Sequence, residues 1–284
     1  VDLTDGRRLA YAEFGDPGGV PVLWFHGSPS SRYEPLLIGD ERLARLGLRV
    51  IAPDRPGMGG SSPLPGRRIC DWPADVAALA DHLGLRAFNV LGNSGGAPYV
   101  AACGAMIPER LGRAVIVSGG WRMDSPEARE LPFVNRLFLT LVRRAPCLLP
   151  PMLAAMRGTP GADPEKELAK MRGRVPEADF RALGEPGRME ALHKLIDEAL
   201  RQGARWVVAD LRLYMRDFGF ALDQVRVPIT MFHGEADRNS PVSLARRMAK
   251  EIPDARLVTF PDDAHLSTLC NRFEEVAEAI RAHG

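Results

Sequence analysis

The sequence predicts an α/β fold in which a mostly parallel central sheet is flanked by helices and carries a helical cap insertion. Short, mainly apolar segments recur along the chain and end near Gly, Asp or Pro, which is typical of strands buried on both faces. Helical patterns separate these segments, and such alternation favours an open sheet with right-handed crossovers. One long stretch without a convincing strand interrupts the alternation, which indicates an insertion between two strands.

Two kinds of local pattern predict the strands. Residues 9–14 alternate apolar and polar side chains after the Asp5-Gly6 turn, which indicates the second arm of a hairpin. The mainly apolar segments predict buried strands at 22–25, 50–52, 88–91, 114–117, 229–232 and 257–260.

The helices that cover the sheet are predicted from capping residues, small-residue packing and amphipathic spacing. They are expected at 71–83, 95–106, 243–251 and 272–281. In the insertion, helices are expected at 133–141, 165–171 and 189–200, with breaks at Pro146, Pro150-Pro151 and 158–161. The chain is therefore divided into a core of residues 1–120 and 204–284 and a helical cap of residues 121–203.

The composition is that of an ordinary globular protein. Of 284 residues, 45% are hydrophobic and 26% are charged, so the chain can bury a sizeable core and is neither disordered nor collagen-like. Lys+Arg 37 against Asp+Glu 36 leaves a net charge of +1. This balance gives no electrostatic reason to expect nucleic acid or a membrane as partner. We therefore expect a small-molecule substrate, and a monomer or homodimer.

The cysteines and the amino-terminal residues predict a cytoplasmic location. Four cysteines lie far apart without metal-ligand spacing, and a chain of this length does not need disulfide staples. Residues 1–6 lack the basic and apolar pattern of a signal peptide, and no apolar run reaches the length of a membrane span. We expect reduced thiols, no metal and no cofactor.

A candidate nucleophile lies between a predicted strand and a predicted helix. Residues 92–96 read Gly-Asn-Ser-Gly-Gly and match the pattern G-x-S-x-G. In a sharp turn of this kind the serine adopts a strained backbone conformation, and the glycines remove side chains that would collide. The hydroxyl of Ser94 then stands clear beside a helix N-terminus, where developing negative charge is favoured. The alternative is a plain Gly-rich turn, and the strand-to-helix placement favours the nucleophile.

A serine needs a base, and His265 is the candidate because it follows the last predicted strand. The carboxylate that orients the base is expected after the preceding strand. Asp237 is the candidate there and Glu235, nearer the strand, is the competitor. Asp263 is too close to His265 in the chain to face its ring correctly. Packing, surface or structural roles are assigned to the other histidines: His26, His82, His193, His233 and His283.

Two backbone N–H groups are expected to hold a developing oxyanion. One belongs to Gly95, directly after the candidate nucleophile. The other is expected in the turn after strand 22–25, where Ser28 is the candidate because Pro29 has no N–H. On its own, the His26-Gly27 pair would be interpreted as an ordinary strand-ending turn.

These motifs together resemble the α/β-hydrolase family, in its serine-nucleophile form with a His-Gly-x-Pro oxyanion loop. The resemblance covers nearly the whole chain and rests on five segments in order: 26–29, 54–61, 92–96, 234–237 and 263–265. It implies a Ser94–Asp237–His265 catalytic triad, an oxyanion hole at Ser28 and Gly95, and a helical cap over the site. It also implies that Arg55 and the glycines after it form a structural turn; segment 54–61 lacks the ending of a phosphate-binding loop.

Departures from family patterns narrow the expected activity. The early loop is not the His-Gly-Gly-Gly run of hormone-sensitive-lipase-type esterases. The candidate nucleophile is Ser, not the Asp of haloalkane dehalogenases and epoxide hydrolases. Asn93 resembles the residue before the serine in C–C bond hydrolases, whose following Met is missing here. We expect a carboxylesterase-like serine hydrolase, EC 3.1.1, acting on an ester-like acyl bond. The alternatives are a C–C bond hydrolase with the same triad, or a non-hydrolytic receptor or biosynthetic protein on this fold.

The cap composition predicts the substrate. Apolar side chains recur at helical spacing in 133–141 and continue in 148–156. Most of them must pack the cap onto the sheet, but a cap over the carboxyl ends of the strands also forms the pocket roof. We expect Phe138, Met152 and Met156 to line a pocket for a medium-sized, mainly apolar group, since thioethers adapt to varied apolar shapes.

Overall fold

A seven-stranded sheet forms the centre of the molecule, in the order β1-β3-β2-β4-β5-β6-β7. The computed structural model describes residues 1–157 and 163–282. The strands are β1 (Tyr11–Gly15), β2 (Val20–Phe25), β3 (Leu48–Pro53), β4 (Phe88–Asn93), β5 (Leu111–Val117), β6 (Ile229–Gly234) and β7 (Ala255–Phe260). Every neighbouring pair is parallel except β1 with β3. The predicted fold class is therefore confirmed, and strands are present at all six predicted positions. The prediction that all six are buried is wrong for β7, which is an edge strand and is only partly buried.

The predicted hairpin is only partly present. Asp2 and Arg8 form a single antiparallel bridge around the Asp5-Gly6 turn, without a regular first arm. Strand β1 instead pairs antiparallel with β3, with Tyr11 opposite Pro53. An edge strand gains more backbone hydrogen bonds from a long sheet neighbour than from the short segment before it.

Helices cover both faces of the sheet and fill the insertion. They are α1 (Asp40–Arg45), α2 (Trp72–His82), α3 (Ala97–Met106), α4 (Phe133–Arg144), α5 (Leu149–Ala154), α6 (Pro164–Met171), α7 (Glu177–Leu183), α8 (Arg188–Ala199), α9 (Ala204–Leu213), α10 (Val242–Glu251), α11 (His265–Asn271) and α12 (Phe273–Arg281). The predicted helices are present within a few residues of their expected bounds. Helices α1, α5, α7, α9 and α11 were not predicted, because most of them are too short for a clear periodic pattern.

The insertion between β5 and β6 is helical, as expected. In its described part, 121–157 and 163–203, the structure has helices and turns and no strand. The predicted break at 158–161 lies outside the described residues. Helix α9 begins at the predicted cap boundary, contacts α4 and α5, and also binds the core. The division at residues 120 and 204 stays a prediction.

The sheet positions the candidate site. The carboxyl ends of β2, β4, β6 and β7 lie at one edge, and their following turns carry the residues singled out above. The last four residues of β2 and of β4, at this edge, are buried. No single helix of the described residues is long and apolar enough to cross a membrane. Only α4 taken together with 146–154 reaches that length and composition, and this pair is bent by 114°.

Candidate active site

Ser94 occupies the strained turn that the sequence predicts. Its φ is +49°, in the left-handed region that disfavours residues with a Cβ. A Cβ built on Gly92 would lie 2.7 Å from the Gly96 carbonyl oxygen, and one built on Gly96 would lie 2.0 Å from the Phe25 oxygen. Both positions therefore require glycine. The turn between β4 and α3 presents the Ser94 hydroxyl at the edge of the sheet.

The structure brings Ser94, His265 and Asp237 together from three distant parts of the chain. His265 Nδ1 lies 2.7 Å from Asp237 Oδ2, and His265 Nε2 lies 2.9 Å from Ser94 Oγ. With Nδ1–H donating to the carboxylate, Nε2 is left to accept the hydroxyl proton. The second oxygen of Asp237 accepts the N–H groups of Asn239 and Ser240, at 2.7 and 2.9 Å. The carboxylate is thus held on one side and aimed at the imidazole on the other.

The competing carboxylates face elsewhere. Glu235 is exposed and pairs with Arg246 at 2.8 Å. Asp263 accepts from Arg272 at 2.6 Å and from Asn271 at 3.0 Å. Neither contacts the imidazole, so the geometry leaves Asp237 as the partner of His265.

Burial and charge set the protonation of this group. Burial opposes protonation of His265, but the charge and hydrogen bond of Asp237 outweigh it and raise the pKa of the imidazole above its ordinary value. Burial works against ionisation of Asp237 too, yet the neighbouring imidazole and the hydrogen bonds lower the pKa of the carboxyl. The pair thus favours a positive imidazole beside a negative carboxylate, which is the state that a general base reaches after taking a proton.

The other histidines among the described residues form no hydrogen bond with Ser94. His26 contacts the Gly27 oxygen at 2.8 Å and accepts the Arg55 N–H at 3.3 Å, and burial lowers the pKa of its ring. His233 contacts the Ser240 oxygen at 2.9 Å, and burial lowers its pKa as well. His82 ends α2 and His193 lies within α8. His283 lies outside the described residues.

The loop after β2 lies against the Ser94 turn. A Cβ built on Gly95 would lie 3.3 Å from the Ser28 nitrogen, so these two backbone segments are neighbours. Among the described residues, the Ser28 N–H has no acceptor in the protein. Ser28 and Gly95 both border the cavity that contains Ser94 and His265. The arrangement offers backbone donors to an oxygen bound beside Ser94.

Glu34 supports this loop from behind, and the sequence reasoning missed it. Its buried carboxylate accepts the Gly27 N–H at 2.9 Å and the Trp24 Nε1–H at 2.7 Å. Burial raises the pKa of this carboxyl. The only signal in the sequence was an acidic residue within an otherwise apolar and aromatic stretch, 33–37.

Asp179 of the insertion holds the helix that begins at His265. Its buried Oδ1 accepts the N–H groups of Leu266 and Ser267, at 2.9 and 2.8 Å, and the Ser267 hydroxyl at 2.8 Å. These are the free donors at the first turn of α11. No local pattern could reveal a cap supplied from about ninety residues earlier in the chain (the Asp179–Ser267 separation is 88).

A buried ionic cluster joins α9 to the Ser94 turn. Arg55 donates to both oxygens of Asp210, at 3.1 and 2.9 Å, and to the carbonyl oxygens of His26 and Gly27. The Tyr214 hydroxyl lies 2.9 Å from the Gly95 oxygen and 3.1 Å from Asp210 Oδ2. Arg67 also binds Asp210. Arg55 is therefore buried in ion pairs and hydrogen bonds, and it braces the loop after β2.

A cavity of about 400 Å³ opens above Ser94. Its lining is mainly apolar and includes Met123, Leu131, Phe138, Val142, Leu153 and Met156. Lys, Arg, Asp and Glu are absent from the described residues that line it. Within 1–157 and 163–282, no cluster of His, Cys, Asp and Glu side chains has the geometry of a metal site.

The prediction that Met152 lines the cavity is wrong. Phe138 and Met156 border the cavity as expected, but Met152 does not and is half exposed. Helix α5 buries Leu149 and Leu153, which are four residues apart and share a face. Met152 precedes Leu153 by one residue and points outward. Leu153 therefore lines the cavity where Met152 was expected.

The comparison with known proteins decides the family. The sequence profile of the alpha/beta hydrolase family matches residues 22–279. This chain belongs to the alpha/beta hydrolase family. A bifunctional esterase/perhydrolase of Acinetobacter calcoaceticus is 24% identical over 93% of this chain and 92% of its own length. A 2-hydroxy-6-oxononadienedioate/2-hydroxy-6-oxononatrienedioate hydrolase of Pseudomonas putida is 27% identical over 91% of this chain and 85% of its own length.

Solved structures agree with the family. A thermophilic esterase from Thermogutta terrifontis superposes with a TM-score of 0.66 and 29% identity, over 98% of this chain and 94% of that one. Relatives of this alpha/beta hydrolase thus include esterases and C–C bond hydrolases at low identity.

Proposed function

We propose that this alpha/beta hydrolase is a serine hydrolase that cleaves an ester-like acyl bond of a small, mainly apolar substrate. The observation that carries the proposal is the hydrogen-bonded line from Asp237 through His265 to Ser94. It ends on a hydroxyl that a left-handed turn presents to an apolar cavity. A serine hydroxyl is a weak nucleophile until such a base removes its proton.

The mechanism follows from these contacts. Ser94 Oγ attacks the substrate carbonyl carbon while its proton passes to His265 Nε2, and Asp237 stabilises the imidazolium. The N–H groups of Ser28 and Gly95 hold the oxyanion. His265 then gives the proton to the leaving alcohol, which departs and leaves an acyl group on Ser94. Water, deprotonated by His265, attacks this acyl group. The bond between the acyl carbon and Ser94 Oγ then breaks, Ser94 regains the proton from His265, and the acid is released.

The cavity lining supports an uncharged acyl substrate. The dioate in the name of the Pseudomonas putida relative carries two carboxylates, and a buried carboxylate needs an ionic or hydrogen-bonded partner. The described cavity lining offers such a substrate no Lys or Arg. This favours ester cleavage over the C–C bond alternative, which uses the same three side chains.

Labelling with a fluorophosphonate probe tests the proposal. Ser28 and Ser94 are the serines among the described cavity-lining residues, so they form a matched pair. We expect the wild type and Ser28→Ala to be labelled, because Ser28→Ala keeps its backbone N–H, and Ser94→Ala to remain unlabelled. Mass spectrometry should place the adduct on Ser94. An unlabelled wild-type protein would instead support a non-hydrolytic receptor or biosynthetic role.

A further inference from the structure

The insertion segment 133–156 carries most of the large, exposed apolar side chains of the described residues. Phe133 is 70% exposed and Val134 is 72% exposed. Apart from Met106, all large, exposed apolar side chains of the described residues lie on this segment: Phe133, Val134, Leu137, Leu148, Met152 and Met156. Single exposed apolar residues are ordinary, but a set gathered on one segment indicates an interaction surface. We call this set the cap ridge.

The cap ridge is continuous with the mouth of the cavity. Val134 and Met156 are exposed and also line the cavity above Ser94. An apolar molecule on the ridge is therefore beside the entrance to the candidate active site.

Positive charge flanks the cap ridge. Residues 131–157 contain four arginines and no Asp, Glu or Lys. Arg129, Arg136 and Arg143 line one groove beside α4 and form no ion pair with any described residue. The one acidic residue among the described groove residues, Asp124, is already held by Arg122 through two contacts of 2.9 Å.

Helix geometry places the two features side by side. Phe133 and Leu137 are four residues apart and share a face of α4, and Arg136 and Arg143 are seven apart and share the adjacent face. The helix thus presents an apolar strip next to a basic strip. This is the pattern of a helix that lies in a lipid–water interface.

We propose that the cap ridge and its arginines dock the protein on an anionic lipid surface. Phe133 and Leu137 would enter the apolar layer, and the groove arginines would bind the anionic head groups. A second copy of the chain is the less suitable occupant, because segment 131–157 would bring arginines against arginines without an acidic partner. The net charge of +1 does not indicate the arginines beside the cap ridge, because acidic residues elsewhere in the chain balance their charge. The proposal replaces the expectation, based on net charge, that no membrane is a partner.

Vesicle co-sedimentation tests the proposal without any turnover, so the result does not depend on the proposed hydrolysis. The probes are vesicles of phosphatidylcholine alone and of equal parts phosphatidylglycerol and phosphatidylcholine. We expect the wild type and Ser94→Ala to bind the anionic vesicles and not the neutral ones. Removing one arginine should lower the partition coefficient roughly fivefold, so Arg129→Gln/Arg136→Gln/Arg143→Gln should lower it on the order of a hundredfold.

A matched control separates local charge from net charge. Arg8→Gln/Arg45→Gln/Arg68→Gln removes the same charge from exposed surface positions outside the insertion. This variant should retain most of the binding to anionic vesicles.

Phe133→Ser/Leu137→Ser tests the apolar part of the ridge. It should weaken binding to the vesicles while hydrolysis of a short, dissolved ester stays unchanged, because neither residue lines the cavity. No binding by the wild type, equal binding to both vesicles, or an equal loss in the control would overturn the proposal. So would a wild-type dimer that Phe133→Ser/Leu137→Ser dissociates in sedimentation equilibrium.

Discussion

At the scale of single residues, the hydroxyl of Ser94 is the group on which the proposed chemistry depends most. Ser94→Ala should lower kcat on the order of 10⁶-fold, leaving a residual rate from the backbone donors. The fold should be unchanged, because the hydroxyl stands in the cavity and its loss creates no hole in the core. Steady-state kinetics and far-UV circular dichroism check the two parts. Retention of a tenth of the wild-type rate would show that another residue attacks.

Asp237 and Glu235 allow a direct test of the carboxylate assignment. Asp237→Asn should lose roughly 10⁴-fold in kcat, because the amide favours the wrong tautomer of His265. Glu235→Gln should have little effect, since Glu235 is exposed and contacts Arg246. The measurement is kcat for both variants on one ester. The opposite order of effects would assign the role to Glu235.

Phe138 and Met152 form a second matched pair, one inside the cavity and one outside. Each methylene in an apolar pocket changes specificity by about 1–3 kcal/mol, so kcat/KM should rise with acyl length until the cavity is full. Phe138→Ala should move this optimum to longer chains. Met152→Ala should leave it in place, because the side chain points outward. A chain-length profile that Phe138→Ala does not move would argue against acyl binding at this wall.

At the scale of elements, α7 of the insertion controls the start of α11 through Asp179. Burial lowers the pKa of His265, and Asp237 raises it. The charge of Asp179 is a further cause that raises this pKa. A general base acts when it is neutral, so activity should rise as the pH passes upward through the raised pKa of His265. The acid limb of the pH profile of kcat/KM should therefore lie above the ordinary range of an imidazole.

Removing the charge of Asp179 should therefore lower the pKa of His265. In Asp179→Asn, which keeps an acceptor oxygen, the acid limb of kcat/KM should move to lower pH. Asp179→Ala should also lower the rate, because the N–H groups of Leu266 and Ser267 lose their partner. A full pH profile of each variant is the measurement. A slower enzyme whose limb has not moved would show that Asp179 acts through structure alone.

At the scale of the whole molecule, the Arg55–Asp210 pair joins the turn after β3 to α9. Both side chains are fully buried. Asp210→Asn would leave the Arg55 and Arg67 guanidinium groups uncompensated, so it should cost about 3–5 kcal/mol of unfolding free energy. Asp81→Asn removes a largely exposed partner of Arg110 and should cost less than about 1 kcal/mol. Urea unfolding of both variants compares the two costs; equal costs would contradict a buried brace.

The sequence by itself determined where the strands lie along the chain and which residues follow them at the candidate site. Mainly apolar segments identified six of the strands, and the glycines around Ser94 identified the turn. These signals are local: a strand buried on both faces must be apolar along its length, and a left-handed serine needs small neighbours. Position after a strand then pointed to Ser28 and His265, because parallel strands end at one edge of a sheet.

Only the tertiary structure decided which distant polar groups meet. Asp237 was separable from Glu235 only by the direction each side chain faces. Glu34 gave only the signal of an acidic residue in an apolar stretch, and Asp179 and Asp210 gave none. A buried carboxylate finds its partners across crossovers, so its role has no periodic mark in the chain. The outward turn of Met152 and the basic face of α4 depended in the same way on how the helices pack. Local patterns specify elements, whereas burial and charge pairing depend on the assembly of those elements.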